Sequence, residues 1–421
     1  MADRYDVVVY GATGFTGSYI MRSIATSPLL KNKTFAVAGR SESKLKKVLN
    51  EVADTTGVSS VKDCPMIIAD TSDADSLAAM AKKARVIINA VGPYRLHGEA
   101  VVRAAVENGA SHVDVSGEPA FLERMQLKYS EQAKDNGVYI VGACGWDSIP
   151  CDLGVDFLKR NLSGTLAHVE TVFSNHRGPS GFSSNAGTYQ TLILGFSLMK
   201  EDNLGKIRRV TMPNRVPDSK HRPPKRSQLW HVQEKGLDRW ALPFMGSDKS
   251  VVQRTQHYDY HVNGKRPVVI NTYFALTSIF WATLVSLWLK VFAFFCMFRP
   301  TRKLLQAYPK LCSFNMFSNS GPTEQQINES TFSYYFFGKG WAEGETPDES
   351  TKPTKTEAAL CRGPEPGYVA TSGCILSATL AILDERDKMP KEGGVYTTAT
   401  AFRDTRIYEH LKSFGITFEK I

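Results

Sequence analysis

Residues 5–40 read YDVVVYGATGFTGSYIMRSIATSPLLKNKTFAVAGR, and their reading decides the fold. Val7, Val8, Val9 and Tyr10 form an apolar, β-favouring run that feeds Gly11-Ala12-Thr13-Gly14-Phe15-Thr16-Gly17, with a glycine at every third position. A helical pattern follows, with Tyr19, Ile20, Ile24 and Ala25 on one face. It stops near Ser27-Pro28, because the residue before proline disfavours helix. Gly11, Gly14 and Gly17 have separate tasks: a tight turn, close backbone approach to a pyrophosphate, and packing of helix against strand. With Thr13, Phe15 and Thr16 they complete a loop whose N–H groups, at a helix start, offer partial positive charge to phosphate.

The spacing Gly-x-x-Gly-x-x-Gly departs from the commoner Gly-x-Gly-x-x-Gly, so context has to separate a nucleotide loop from a plain turn. That context is a strand before, a helix after, and a second apolar strand, Phe35 to Ala38, one βαβ unit later. About twenty residues past the glycines an NAD enzyme places Asp or Glu for the ribose hydroxyls. Here the chain has Gly39-Arg40-Ser41. A guanidinium and a hydroxyl suit a 2′-phosphate, so NADP(H) is expected over NAD(H).

The alternation continues with a Lys- and Leu-rich helix, Ser43 to Thr55, a strand at Met66 to Ala69, a helix from Asp73 with acid in its first turn, and a strand at Val86 to Ala90. Helix Gly98 to Asn108, strand His112 to Val115, helix Pro119 to Asn136 and strand Tyr139 to Val141 follow. Six strands and five helices in alternation predict an α/β fold, a Rossmann-type doubly wound parallel sheet. Ligands of such sheets bind beyond the carboxyl ends of the strands. Asp70 is thereby placed for the adenine, and Asn89, Val91 and Gly92 for the ribose on the nicotinamide side. Tyr94 and Asp147, with Asp114 behind them, are the candidate proton donors. The competing readings are structural: Asp114 and Glu118 capping the next helix, and Asp147-Ser148 capping the helix that starts at Pro150.

At 421 residues the chain is long enough for two to three domains, and 42% apolar content provides ample core. A formal charge of +9 fits attraction to nucleotides or anionic surfaces, but no segment looks like a nucleic-acid module, so no nucleic-acid partner is expected. Much of the excess lies in residues 206–226, eight Lys or Arg against one Asp. This stretch reads as a solvated connector, with an anionic lipid surface as the alternative. Seven scattered cysteines without a Cys-x-x-Cys pair indicate a reducing compartment and no metal site. The first strand begins at Tyr5, so neither a cleaved leader nor secretion is expected.

Five motifs in order carry a family resemblance: GATGFTG at 11–17, AGRSESKL at 38–45, NAVGPY at 89–94, HVDVSGE at 112–118 and GWDSIPCDLG at 145–154. Together they resemble the saccharopine dehydrogenase-like oxidoreductase family. The resemblance implies a nucleotide-binding domain, an inserted α+β domain, and C-terminal elements that return to the first. The expected organisation is therefore 1–150, NADP(H)-binding; 151–370, α+β, for substrate or interaction; and 371–421, helices packing back on the first domain. It also implies association with lipid droplets or membranes, since animal members have it.

In the second region Val169 to Ser174, Gln256 to Val262 (QHYDYHV), Val268 to Phe274 and Thr331 to Phe337 alternate like strands, and Tyr189 to Met199 reads as a helix. His257 and His261 then share a strand face, without a third metal ligand. Residues 272–298 hold one charge, Lys290, and the uncharged run Pro267 to Leu289 spans 23 residues, enough for a bilayer. A full span would separate the chain's ends across the membrane, whereas a monotopic anchor keeps both flanks on one side. A buried helix and a homodimer interface are the alternatives. Segment 272–303, closed by Arg299, Arg302 and Lys303, is the expected contact with a lipid droplet or the cytosolic face of the endoplasmic reticulum or a mitochondrion.

Two functions follow. One is a lipid-surface NAD(P)H-dependent oxidoreductase for a small, lipid-like or otherwise apolar substrate. The other is a non-catalytic scaffold that keeps the nucleotide as a structural ligand.

Overall fold

The computed structural model describes residues 4–217 and 219–421. The chain divides into two units, one running to Asp147 and including Gly367–Gly415, the other comprising Ser148–Pro366 and Ile416–Ile421.

The first unit contains β1 (Tyr5–Tyr10), α1 (Phe15–Thr26), β2 (Phe35–Gly39), α2 (Glu42–Thr56), β3 (Met66–Ile68), α3 (Ala74–Lys82), β4 (Ala84–Asn89), α4 (Tyr94–Glu107), β5 (Ser111–Asp114), α5 (Pro119–Asp135) and β6 (Tyr139–Val141). Local chemistry sets these boundaries. The Ser41 hydroxyl accepts from Lys44 N–H at the start of α2, and Gly57, at φ 72°, ends it in the left-handed conformation. Asp73 accepts from the N–H groups of Asp75 and Ser76 to open α3.

All strands of this sheet are parallel, in the order β6-β5-β4-β1-β2-β3, with a seventh strand, Gly394–Tyr396, beside β6. The order reverses between β1 and β4, where Tyr10 pairs with Asn89, and that switch point is where a doubly wound sheet opens its crevice. Val7, Val8, Val9, Val86, Ile87 and Ile88 are buried on both faces, as a covered parallel sheet requires. The returning helix Thr371–Asp384 is buried almost throughout.

The second unit holds α6 (Ile149–Asn161), β7 (Gly164–His176), α7 (Ala186–Leu198), α8 (Leu204–Thr211), β8 (Trp230–Glu234), β9 (Leu237–Pro243), α9 (Asp248–Asn263), β10 (Val269–Leu276), α10 (Ile279–Cys296), α11 (Arg299–Ala307), β11 (Thr331–Ala342), β12 (Lys355–Pro364) and the C-terminal β13 (Thr417–Lys420). Its sheet runs β13-β12-β11-β7-β10-β9-β8, antiparallel except for β7 with β10.

Three expectations are corrected here. QHYDYHV is not a strand; it lies in α9, which Gly264 terminates at φ 63°. His257 and His261 are then one helical turn apart, and both ring Nε2 atoms meet the Asn214 carbonyl, at 2.9 and 2.8 Å. The apolar helix of segment 272–298 does not start at Thr272, because residues 272–276 belong to β10, paired on both sides with β7 and β9. Ser148 does not cap α6 with its side chain; its hydroxyl meets that of Ser247 at 2.8 Å. All seven cysteines are unbridged. Among the described residues no group of three or more His, Cys, Asp or Glu is placed to hold a metal.

Candidate cofactor site

The site begins at the end of β1. Gly11 sits at φ 90°, and a Cβ there would lie 2.7 Å from Val91 Cγ2, so the turn admits glycine alone. Gly14 occupies the N-cap position of α1 in extended conformation, and its N–H donates to the Gly11 carbonyl at 2.9 Å. A Cβ on Gly17 would lie 2.2 Å from the Gly11 carbonyl oxygen, so this glycine is what lets α1 press on the loop. The first N–H groups of a helix have no partner within it, and α1 starts just beyond the end of β1, the strand at the switch point. Thr13 and Gly14 are exposed beside them. The Phe15 ring does not project into solvent; it packs edge-on to Tyr368 at 4.6 Å and on Tyr19 at 5.5 Å.

Arg40 stands exposed at the end of β2, next to Ser41 at the start of α2. Asp70 closes the end of β3 and accepts from Ser72 N–H at 2.9 Å and Ser72 Oγ at 2.8 Å. Those bonds, helped by Arg40 and His97, hold its carboxyl below the usual range. Burial and the Asp70 charge push the Tyr10 phenol up to about 12.

At the end of β4, Asn89 is buried and its side-chain oxygen accepts from Val91 N–H at 3.0 Å, which fixes the turn through Gly92. Tyr94 is buried as well. Its hydroxyl donates to the Asn89 carbonyl at 2.9 Å and accepts from Val115 N–H at 3.3 Å. Burial, with the Asp114 carboxyl next, raises its pKa well above the ordinary tyrosine value. The phenol is thus engaged with backbone.

Glu118 does more than the sequence suggests. Its two carboxyl oxygens accept from the N–H groups of Tyr94, at 2.8 Å, and Arg95, at 3.0 Å. It caps α4, a helix 24 residues earlier in the chain, and makes no side-chain cap on α5. No local spacing signals that pairing. Asp114 accepts from Ser116 N–H at 2.9 Å and Ala143 N–H at 3.0 Å, tying the end of β5 to the loop after β6. Burial lifts its pKa to about 7, against those two hydrogen bonds. Asp147 is partly exposed beyond β6, and its carboxyl lies against Gly117, where a Cβ would come within 2.4 Å of Oδ2. Trp146 N–H donates to the Thr371 hydroxyl at 3.2 Å, so the returning helix braces this loop.

A parallel sheet in this order, with a glycine-lined helix start at its switch point, defines a dinucleotide-binding domain of the oxidoreductase type. Residues 7–141 match the family described as the saccharopine dehydrogenase NADP binding domain, and NADP(H) is the cofactor of this domain. The chain is 40% identical to saccharopine dehydrogenase-like oxidoreductase of Homo sapiens, over 99% of this chain and 97% of that one. It is 52% identical to a Caenorhabditis elegans protein named lipid droplet localized protein, over 99% of this chain and 98% of that one. The chain therefore belongs to the saccharopine dehydrogenase-like oxidoreductase family. Apo saccharopine dehydrogenase (L-Glu forming) from Saccharomyces cerevisiae shares its fold, with a TM-score of 0.55 over 99% of both chains at 15% identity.

Proposed function

We propose that the protein is an NADP(H)-dependent oxidoreductase that works on a small, lipid-like substrate at a lipid-droplet surface or the cytosolic face of a membrane. The observation that carries this reading is the pairing, in one chain, of the glycine-lined α1 start beside Arg40 with an apolar helix, α10, of which only 17% is buried. The relative named for lipid droplets supports the location.

The reduced nicotinamide supplies hydride when bound. The protein's own residues do the rest. The N–H groups of Thr13, Phe15, Thr16 and Gly17 hold the pyrophosphate, with Gly11 and Gly14, joined by their own backbone hydrogen bond, shaping the turn. Arg40 and Ser41 take the 2′-phosphate, and Asp70 borders the adenine. Asn89, Val91 and Gly92 keep the turn after β4 close to the ribose. Asp147, partly exposed at a strand end, is the better placed proton donor. Tyr94, with its phenol committed to Asn89 and Val115, orders the end of β4.

That engagement of Tyr94 also favours a second reading, in which the chain binds NADP(H) as a structural ligand and acts as a lipid-surface scaffold. NADPH titration by fluorescence, followed by NADPH oxidation with a total lipid extract, separates the two. Saturable binding with lipid-dependent oxidation is expected. Binding without oxidation in any lipid fraction selects the scaffold, and absence of NADPH binding sinks both.

A further inference from the structure

Helix α10 presents Phe280, Leu284, Leu287, Val291 and Phe294 at alternating spacings of four and three, one continuous face that is 44–67% exposed. The opposite face is satisfied. Phe292 and Cys296 pack with Tyr189 and Ile193 of α7 and Leu305 of α11, and Trp288 Nε1 donates to the Cys312 carbonyl at 3.1 Å. Leu304, Leu311 and Phe314 extend the exposed apolar surface, the last two at 75% and 76%. Exposed apolar side chains grouped on neighbouring elements, rather than scattered singly, mark an interaction or membrane site.

The charges within this segment of the chain are of one sign. Between Asp259 and Glu324 the sequence contains no acidic residue. Lys290, Arg299, Lys303 and Lys310 are exposed within and after α10. Lys290 lies three residues from Leu287 and four from Phe294, on the apolar face itself.

Resting on the lipid-surface reading above, we propose that this face is a monotopic anchor selective for anionic phospholipid, with α10 lying in the plane of the interface and its cations among the headgroup phosphates. Two observations choose this occupant. An 18-residue helix is about 27 Å long and could just cross a bilayer. However, a span would place Lys290 in hydrocarbon, while in-plane seating lets its ammonium reach the headgroups along its own alkyl stem. A second copy of the chain, docked by two-fold symmetry, would set Lys290, Arg299, Lys303 and Lys310 against the same cations of its partner, whereas anionic headgroups neutralise them.

The test is flotation of the purified full chain with vesicles of phosphatidylcholine alone and of phosphatidylcholine with one-third phosphatidylserine. Binding about tenfold stronger to the anionic vesicles, and weakening with salt, is expected. The triple variant Arg299→Glu, Lys303→Glu, Lys310→Glu should lose that preference, and the double variant Leu287→Asp, Phe294→Asp should lose flotation altogether. NADPH affinity, measured in parallel, should stay at the wild-type value in both and so report that the chain is folded. Equal binding to both vesicles would overturn the anionic selectivity and leave the lipid-surface reading standing. No flotation on either vesicle, with a concentration-dependent dimer, would overturn both and assign the face to a second copy.

Discussion

Among the described residues two helices are long and apolar enough to cross a membrane, and they have opposite fates. Ile279–Cys296 is 17% buried over its apolar window, whereas the window of Pro366–Asp384 is 89% buried. Length and hydropathy do not separate them; side-chain size and polarity do. The second carries Ser, Thr, Gly and Ala among its leucines, and its buried hydroxyls turn back on the helix. Ser372, Ser377 and Thr379 donate to the carbonyls of Tyr368, Gly373 and Ile375, each at 2.7 Å. Small residues and satisfied hydroxyls make a helix that others can surround. α10 carries tryptophan, phenylalanine and leucine on its exposed face, too bulky to be ignored by water and uncovered by the rest of the chain.

Breaking each helix in turn should therefore give different phenotypes. Ala378→Asp places a charge in a fully buried position of Thr371–Asp384 and should cost more than about 4 kcal/mol, enough to unfold the first unit and abolish NADPH binding. Leu287→Asp in α10 should change thermal stability by no more than about 0.5 kcal/mol. Matched midpoints in denaturant for the two variants would erase the distinction. Truncation sharpens it: Leu376→Ala should cost about 2–5 kcal/mol and Leu284→Ala almost nothing, read from urea midpoints at unchanged slope.

The first unit also carries a pH signature in the acid-to-neutral range. Asp114 has a folded pKa of about 7, above the ordinary 3.8. Between those values the folded state keeps a proton that the unfolded chain releases. Its contribution is thus full below about pH 4 and is lost as pH rises through about 7, with each tenfold difference in proton affinity between the two states worth about 1.4 kcal/mol. Asp114→Asn should flatten that decline in Tm, and an unchanged pH profile would remove Asp114 as its source. A purely local effect is expected at the start of α10, where the Ser278 hydroxyl accepts from Trp281 N–H at 3.4 Å. Ser278→Ala should cost about 1 kcal/mol or less of local helix stability, visible in amide exchange at 279–282 with no shift in global Tm.

Most of the nucleotide-binding unit was legible in the sequence because its signals are local. A glycine run between strand and helix, acid in the first turn of the helix that begins at Asp73, and alternation at βαβ length each act over a few residues. What was not legible depends on distant partners. QHYDYHV alternates like a strand, yet its helix is set by the segment from Asp248 and the stop at Gly264. Residues 272–276 continue the apolar run of the helix that follows, and only pairing with β7, about a hundred residues earlier in the chain, makes them a strand. Glu118 reads as a cap for the helix it precedes and instead closes α4. Tyr368, which covers Phe15, lies more than three hundred residues from it.

The claim that joins the two regions is hydride transfer from the glycine-lined site to a lipid. Its most direct measurement uses NADPH deuterated at the transferable position, the full-length protein on anionic vesicles carrying a total lipid extract, and mass spectrometry of the lipids. Deuterium should enter a lipid species with the wild-type chain and not with Gly14→Asp, whose side chain would obstruct the loop and repel phosphate. Label absent from every lipid fraction while NADPH stays bound would contradict it.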